Sequence, residues 1–148
     1  QNPDDGLPDK QATSFIVKKA IAYIEQNYAK KLSLQEVADY CYVSQWHLSK
    51  LINKYAEKSY YDLLNSVRIE KAKELLADPS LKIGDIVDLV GYSDSGHFSR
   101  TFKKLTGLSA NEYQNRFRTN VRTMNTPPTH LVARASFASR PLFLFLPR

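Results

Sequence analysis

At 148 residues with 43% apolar side chains, the chain has room for one ordinary domain or two small ones and can build a core. Lys and Arg number 21 against 15 Asp and Glu, a net charge of +6 that suits a polyanionic partner. A single cysteine excludes an intramolecular disulfide and fits a reducing, cytosolic setting, and no apolar run approaches the about 20 residues of a membrane-spanning helix. The charge is uneven: residues 1–13 carry one Lys against three Asp, residues 14–118 sixteen basic against twelve acidic groups, and residues 119–148 four Arg and no acid. The middle is thus only modestly basic, and charge by itself does not single out nucleic acid. The chain starts without Met, so it is expected to be a piece of something longer.

Residues 1–13, with two prolines, a glycine and scattered acids, read as a linker. Helical periodicity begins near Ser14, where Ile16, Ala20, Tyr23, Ile24 and Tyr28 form an inner stripe closed by Lys30 and Lys31. Ser33-Leu34-Gln35-Glu36 is a capping box that opens a short helix running out near Tyr40. Cys41-Tyr42-Val43 makes a tight turn and Ser44 caps the next helix. There Leu48, Leu51, Ile52 and Tyr55 face inward, while Trp46, Ser49, Lys50 and Asn53 face outward at i, i+3, i+4, i+7. Two short helices joined by such a turn form the helix-turn-helix pattern. Ser59 begins a long helix with Leu63, Leu64, Val67, Ala72, Leu75 and Leu76 as its apolar positions, and Asp78-Pro79-Ser80 ends it.

The pattern then repeats. Ile83, Ile86, Val87 and Val90 answer Leu34, Val37, Ala38 and Cys41 at an offset of 49, and Gly91-Tyr92-Ser93 answers Tyr42-Val43-Ser44. One extra residue shifts the offset to 50, so that Phe98-Ser99-Arg100 answers Leu48-Ser49-Lys50, and Ser109, in a further capping box with Glu112, answers Ser59. The second reading helix is expected to be capped by Ser93 and to bury Phe98, Phe102 and Leu105. Gly96, Ser99, Arg100 and Lys103 lie on its opposite, small and positive face, which suits a DNA groove. Gly96 costs about 1 kcal/mol against Ala inside a helix, and close approach to a sugar–phosphate chain is one reason for it. A linker helix of about 27 Å fits the roughly 34 Å between successive major-groove faces, which suggests one monomer reading two boxes.

From about Ile16 to Phe117 the chain resembles the DNA-binding domain of AraC/XylS-type transcription regulators. The residues carrying this are Leu32-Ser33-Leu34 with Val37-Ala38, Arg68 through Leu76, Ile83, Ile86, Val90 through Asp94, Phe98-Ser99-Arg100, Phe102-Lys103-Lys104, Gly107 and Ser109. The resemblance implies an all-α, seven-helix domain of two helix-turn-helix, homeodomain-like subdomains, here residues 14–58 and 82–118, joined by a linker helix over 59–78. It also implies bacterial, cytoplasmic, sequence-specific promoter binding, recruitment of RNA polymerase as an activator, and a sensor or receiver domain elsewhere in the parent chain.

By position, the resemblance gives Trp46, Ser49 and Lys50 as base-contacting residues of the first reading helix, and Ser95, Gly96, His97, Ser99 and Arg100 as those of the second. Arg100 pairs best with guanine, through a bidentate guanidinium. Ser44, Lys54, Ser93, Lys103 and Lys104 suit phosphates. The alternatives are a Trp46 packed on the first helix, Ser49 and Lys50 as solvated surface, and Arg100 in a surface ion pair. No cofactor is expected, and no metal site, because no Cys or acid cluster joins His47 and His97. Cys41 aligns with Val90 and reads as a small core residue, and Tyr60 and Tyr61 as core or helix-start packing.

Residues 119–148 fall outside the resemblance, and the tail reads as disordered, as a docked strand, or as an artefact. Two rival functions remain: a helical protein-interaction module without DNA specificity, and a DNA-alkyl-repair methyltransferase, against which the apolar slot of Cys41 argues.

Overall fold

The computed structural model describes residues 7–124, all of whose regular elements are helices. These are α1 (Leu7–Asn27), α2 (Leu34–Tyr40), α3 (Gln45–Ala56), α4 (Tyr60–Leu76), α5 (Ile83–Leu89), α6 (Ser95–Thr106) and α7 (Ala110–Met124). They form two compact units whose boundary falls inside α4, between Leu64 and Asn65. The all-α, seven-helix expectation holds. Two boundaries differ from it. α1 starts at Leu7, inside the stretch read as a linker, and α7 runs past Arg118 to Met124. The rest of the proposed tail, residues 125–148, lies outside the described residues.

In the first unit α1, α2 and α3 pack on one another around Ala20, Ile24, Val37, Ala38, Leu48 and Ile52, all fully buried. The buried stripe of α1 is Val17, Ala20, Ile21 and Ile24. Ile16, Tyr23 and Tyr28, expected inside, are half-buried. The Tyr23 ring instead stacks on Tyr40 of α2, with centroids 4.2 Å apart. Ser33 and Ser44 cap as expected: the Glu36 amide donates to Ser33 Oγ and the His47 amide to Ser44 Oγ, each at 3.1 Å. The Tyr55 hydroxyl hydrogen-bonds the Thr13 hydroxyl at 2.8 Å, which ties α3 to α1 and explains why Tyr55 is only half-buried. The Tyr60 hydroxyl donates to the Leu32 carbonyl at 2.8 Å, whereas Tyr61 is exposed rather than packed.

In the second unit the core is aromatic. A run of rings leads from Tyr92 through Phe98, Phe102 and Tyr113 to Phe117, with neighbouring centroids 5.4–5.6 Å apart. Leu105, expected to complete the Phe98–Phe102 stripe, is half exposed. It lies one turn beyond Phe102, where α6 is ending. The Tyr92 hydroxyl donates to Asn65 Oδ1 at 2.7 Å, so two buried polar groups satisfy each other. Gln114 of α7 is buried and donates from Nε2 to the carbonyls of Leu81 (2.8 Å) and Asp78 (3.3 Å). That amide clasps the α4–α5 loop.

The internal repeat is carried in the backbone. α2 and α5 are seven residues each at an offset of 49, and α3 and α6 twelve each at an offset of 50. In each turn an amide bonds back to the same carbonyl: Tyr42 to Asp39 as Gly91 to Asp88, and Val43 to Ala38 as Tyr92 to Val87, all at 3.1 Å. Tyr42 (φ 59°) and Gly91 (φ 93°) are both left-handed, and so are Glu57 (φ 55°) and Gly107 (φ 82°), which follow α3 and α6.

Candidate nucleic-acid interface

The cap of α6 corrects the sequence reading. Its N-cap is Asp94, whose Oδ1 accepts from the Gly96 amide at 2.9 Å; Ser93 stands one residue too early and is exposed. Ser93 is therefore the inserted residue, and Asp94 matches Ser44 at the offset of 50. Aspartate caps as well as serine does, and the first helix residues of the repeats align only on that choice.

On α3 the expected outward face is present. Trp46 is 67% exposed, so most of its indole is open to solvent rather than buried in the core. Lys50 is exposed and sets its Nζ 3.8 Å from the centre of the Trp46 ring, a cation–π contact. Ser49 is half-buried, and Lys54, on the last turn, lies 5.6 Å from the Tyr55 ring centre.

On α6, Ser95, Ser99, Arg100, Lys103 and Lys104 are exposed. The Ser99 hydroxyl donates to the Ser95 carbonyl at 2.9 Å and keeps its lone pairs for an outside donor. Gly96 leaves a space that Arg100 uses: a Cβ there would stand 3.2 Å from Arg100 Nη1 and 3.4 Å from Asp94 Oδ1. Arg100 Nη2 lies 4.0 Å from Asp94 Oδ2, both side chains largely exposed. The surface ion pair weighed as an alternative for Arg100 thus exists in loose form, and pairs of this kind are worth little to stability.

His97 is half-buried and meets Tyr92 edge-on, centroids 5.2 Å apart, so one edge of its ring is engaged in the unit's own packing. Asp94 is the residue that sequence reasoning missed. The signal was available, because Ser44 plus the offset of 50 is Asp94.

α6 has no acid among its twelve residues, and Lys103 and Lys104 sit in its last turn, where cations complement the helix dipole. Among the described residues no group of His, Cys, Asp and Glu is arranged to hold a metal ion, and no helix is long and apolar enough to cross a membrane. Cys41 is buried, and burial pushes its thiol pKa up, with only partial opposition from the Lys19 charge. This is the reverse of what a nucleophilic thiolate needs.

Paired helix-turn-helix units of this kind match a known profile. The family described as "Helix-turn-helix domain" matches residues 27–116. The chain belongs to the AraC/XylS-type helix-turn-helix family. It is 34% identical over 106 residues to the HTH-type transcriptional regulator YijO of Escherichia coli, covering 72% of this chain and 38% of that protein. It is 31% identical over 104 residues to the bifunctional transcriptional activator/DNA repair enzyme AdaA of Bacillus subtilis, covering 70% of this chain and 47% of AdaA. The C-terminal domain of AraT, a response regulator from Geobacillus stearothermophilus, superposes with a TM-score of 0.64 at 38% identity, covering 68% of this chain and 84% of that domain. The chain thus spans less than half the length of the two full-length relatives.

Proposed function

We propose that this chain is the DNA-binding part of a bacterial, cytoplasmic transcription regulator that reads a double-stranded promoter site with two helices in adjacent major grooves. One observation carries the reading: two helix-turn-helix units repeat in register, and both turn exposed cations outward from the second helix, Lys50 on α3 and Arg100 on α6. In this reading Trp46, Ser49, Lys50, Ser95, Gly96, Ser99 and Arg100 face base edges, with Trp46 offering apolar contact to a thymine methyl. Ser44, Lys54, Ser93, Lys103 and Lys104 position the phosphates. His97 belongs with the base-facing set, its half-buried ring also meeting Tyr92 edge-on. α4, seventeen residues and about 26 Å at the usual helical rise, joins the two units. Activity as a regulator, contact with RNA polymerase, and a sensor or receiver domain in a longer parent chain belong to the same proposal. So does the absence of enzymatic activity from this part, which the buried Cys41 supports.

Selection of binding sites from a random duplex pool, followed by anisotropy titrations against salt, tests the reading. Two enriched boxes about one helical turn apart, with affinity falling steeply as salt rises, are expected. Weak, salt-insensitive binding without enrichment would replace it with a protein-interaction module.

A further inference from the structure

On the proposed reading of α6 as a base-reading helix, we infer that Asp94 is a specificity-determining residue, one that aims the Arg100 guanidinium across the bare backbone of Gly96. Three features converge. Asp94 Oδ1 is fixed, because it caps α6 by accepting from the Gly96 amide at 2.9 Å. Its other oxygen, Oδ2, faces Arg100 Nη2 at 4.0 Å. Between them the missing Cβ of Gly96 leaves the channel through which the guanidinium reaches back: a methyl there would come within 3.2 Å of Nη1.

The first unit supplies an internal comparison. At the offset of 50, Ser44, Trp46 and Lys50 stand where Asp94, Gly96 and Arg100 stand. There the cap is neutral and the cation is held by an indole face, Lys50 Nζ lying 3.8 Å from the ring centre. In the second unit the cap is an anion and the intervening side chain is deleted. Each reading cation leans back toward the start of its own helix, but only Arg100 is a planar fork with a carboxylate behind it.

The chemistry follows. A guanidinium steadied on one side presents its remaining N–H groups as a parallel pair, which matches guanine O6 and N7. The Asp94 charge also acts directly. With Arg100 engaged on guanine the carboxylate is balanced, whereas opposite another base it faces phosphates and acceptors without compensation. Asp94 therefore lowers binding to wrong sites more than to the right one.

The test pairs a DNA-free readout with a DNA-bound one, using Asp94→Asn, which keeps a capping oxygen and drops the charge, and Asp94→Ser, which copies Ser44. By NMR relaxation of the Arg100 Nε–H group in the free protein, the unaltered chain is expected to hold that group ordered, and both variants to release it. In site selection, the position whose guanine preference Arg100→Ala abolishes is expected to lose several-fold preference in both variants. Binding to duplexes lacking that guanine should tighten. Equal Arg100 mobility in all three proteins overturns the aiming role. Undiminished guanine preference in the variants overturns the discriminating role, and marks Asp94 as a cap alone. If the unaltered chain enriches no sequence while Arg100 is ordered by Asp94, the failure lies with the DNA reading of α6, and the specificity role of Asp94 falls with it.

Discussion

Arg100 and Lys104 stand on one helix and carry the same charge, yet their losses should differ in kind. Arg100→Ala is expected to cost about 1–3 kcal/mol at one base pair and to relax selection there. Lys104→Ala should weaken binding to all sequences alike and lower the salt slope by roughly one. Titrations of both variants on cognate and scrambled duplexes separate the two. Cys41 makes an equally sharp prediction. Because burial raises its pKa, the folded thiol holds its proton at pH values where an unfolded one begins to ionise. Iodoacetamide at pH 8 should therefore leave the folded chain unmodified and alkylate it fully in denaturant. By the same linkage the thiol's share of stability is intact below the ordinary thiol pKa and is lost as pH rises through the higher folded value. Rapid alkylation of the folded protein would revive the nucleophile reading.

At the scale of elements, the two repeats solve one backbone problem with different residues. Both need a left-handed residue after the first helix of each pair and another after the second. The second unit uses Gly91 and Gly107, and the first uses Tyr42 and Glu57. A side chain at such a φ costs about 1–2 kcal/mol, partly offset by glycine's greater freedom when unfolded. Glu57 is exposed at the end of α3, so Glu57→Gly should raise stability by about 0.5–1 kcal/mol in urea titration. The caps give a second prediction. Ser44→Ala should cost about 1 kcal/mol, because Ser44 Oγ accepts from the His47 amide. Ser93→Ala should leave stability unchanged, because Asp94 caps α6.

At the scale of the molecule, stability and binding rest on different parts. The second unit is tied by its ring stack and by Gln114, whose amide satisfies two carbonyls of the α4–α5 loop. Gln114→Ala takes the side-chain donor from the part-buried Leu81 carbonyl, while the Asp78 carbonyl keeps the Leu81 amide, and should cost about 1–2 kcal/mol in thermal or urea unfolding. Base preference in whatever remains folded should be unchanged.

Much of this was legible beforehand because it is periodic. The spacing of Phe98 and Phe102, the Ser-x-x-acid caps and the offset repeat each report local geometry, and local geometry depends on neighbours a few residues away. The same locality explains the helix count, the two units, and the outward placing of Trp46, Lys50 and Arg100. Tertiary structure decided what periodicity leaves degenerate. Ser93 and Asp94 are each good cap residues, one at either offset of the repeat, and the structure chooses Asp94, whose Oδ1 accepts from the Gly96 amide. Leu105 continues an apolar stripe, yet in the last turn of α6 it is half exposed. His97 sits at a position matching the reading face, and its half-buried ring also meets Tyr92 edge-on, a contact periodicity does not show. Sequence patterning sets which face a residue takes. Contacts made across the chain set whether that face is filled, capped or left open to a partner.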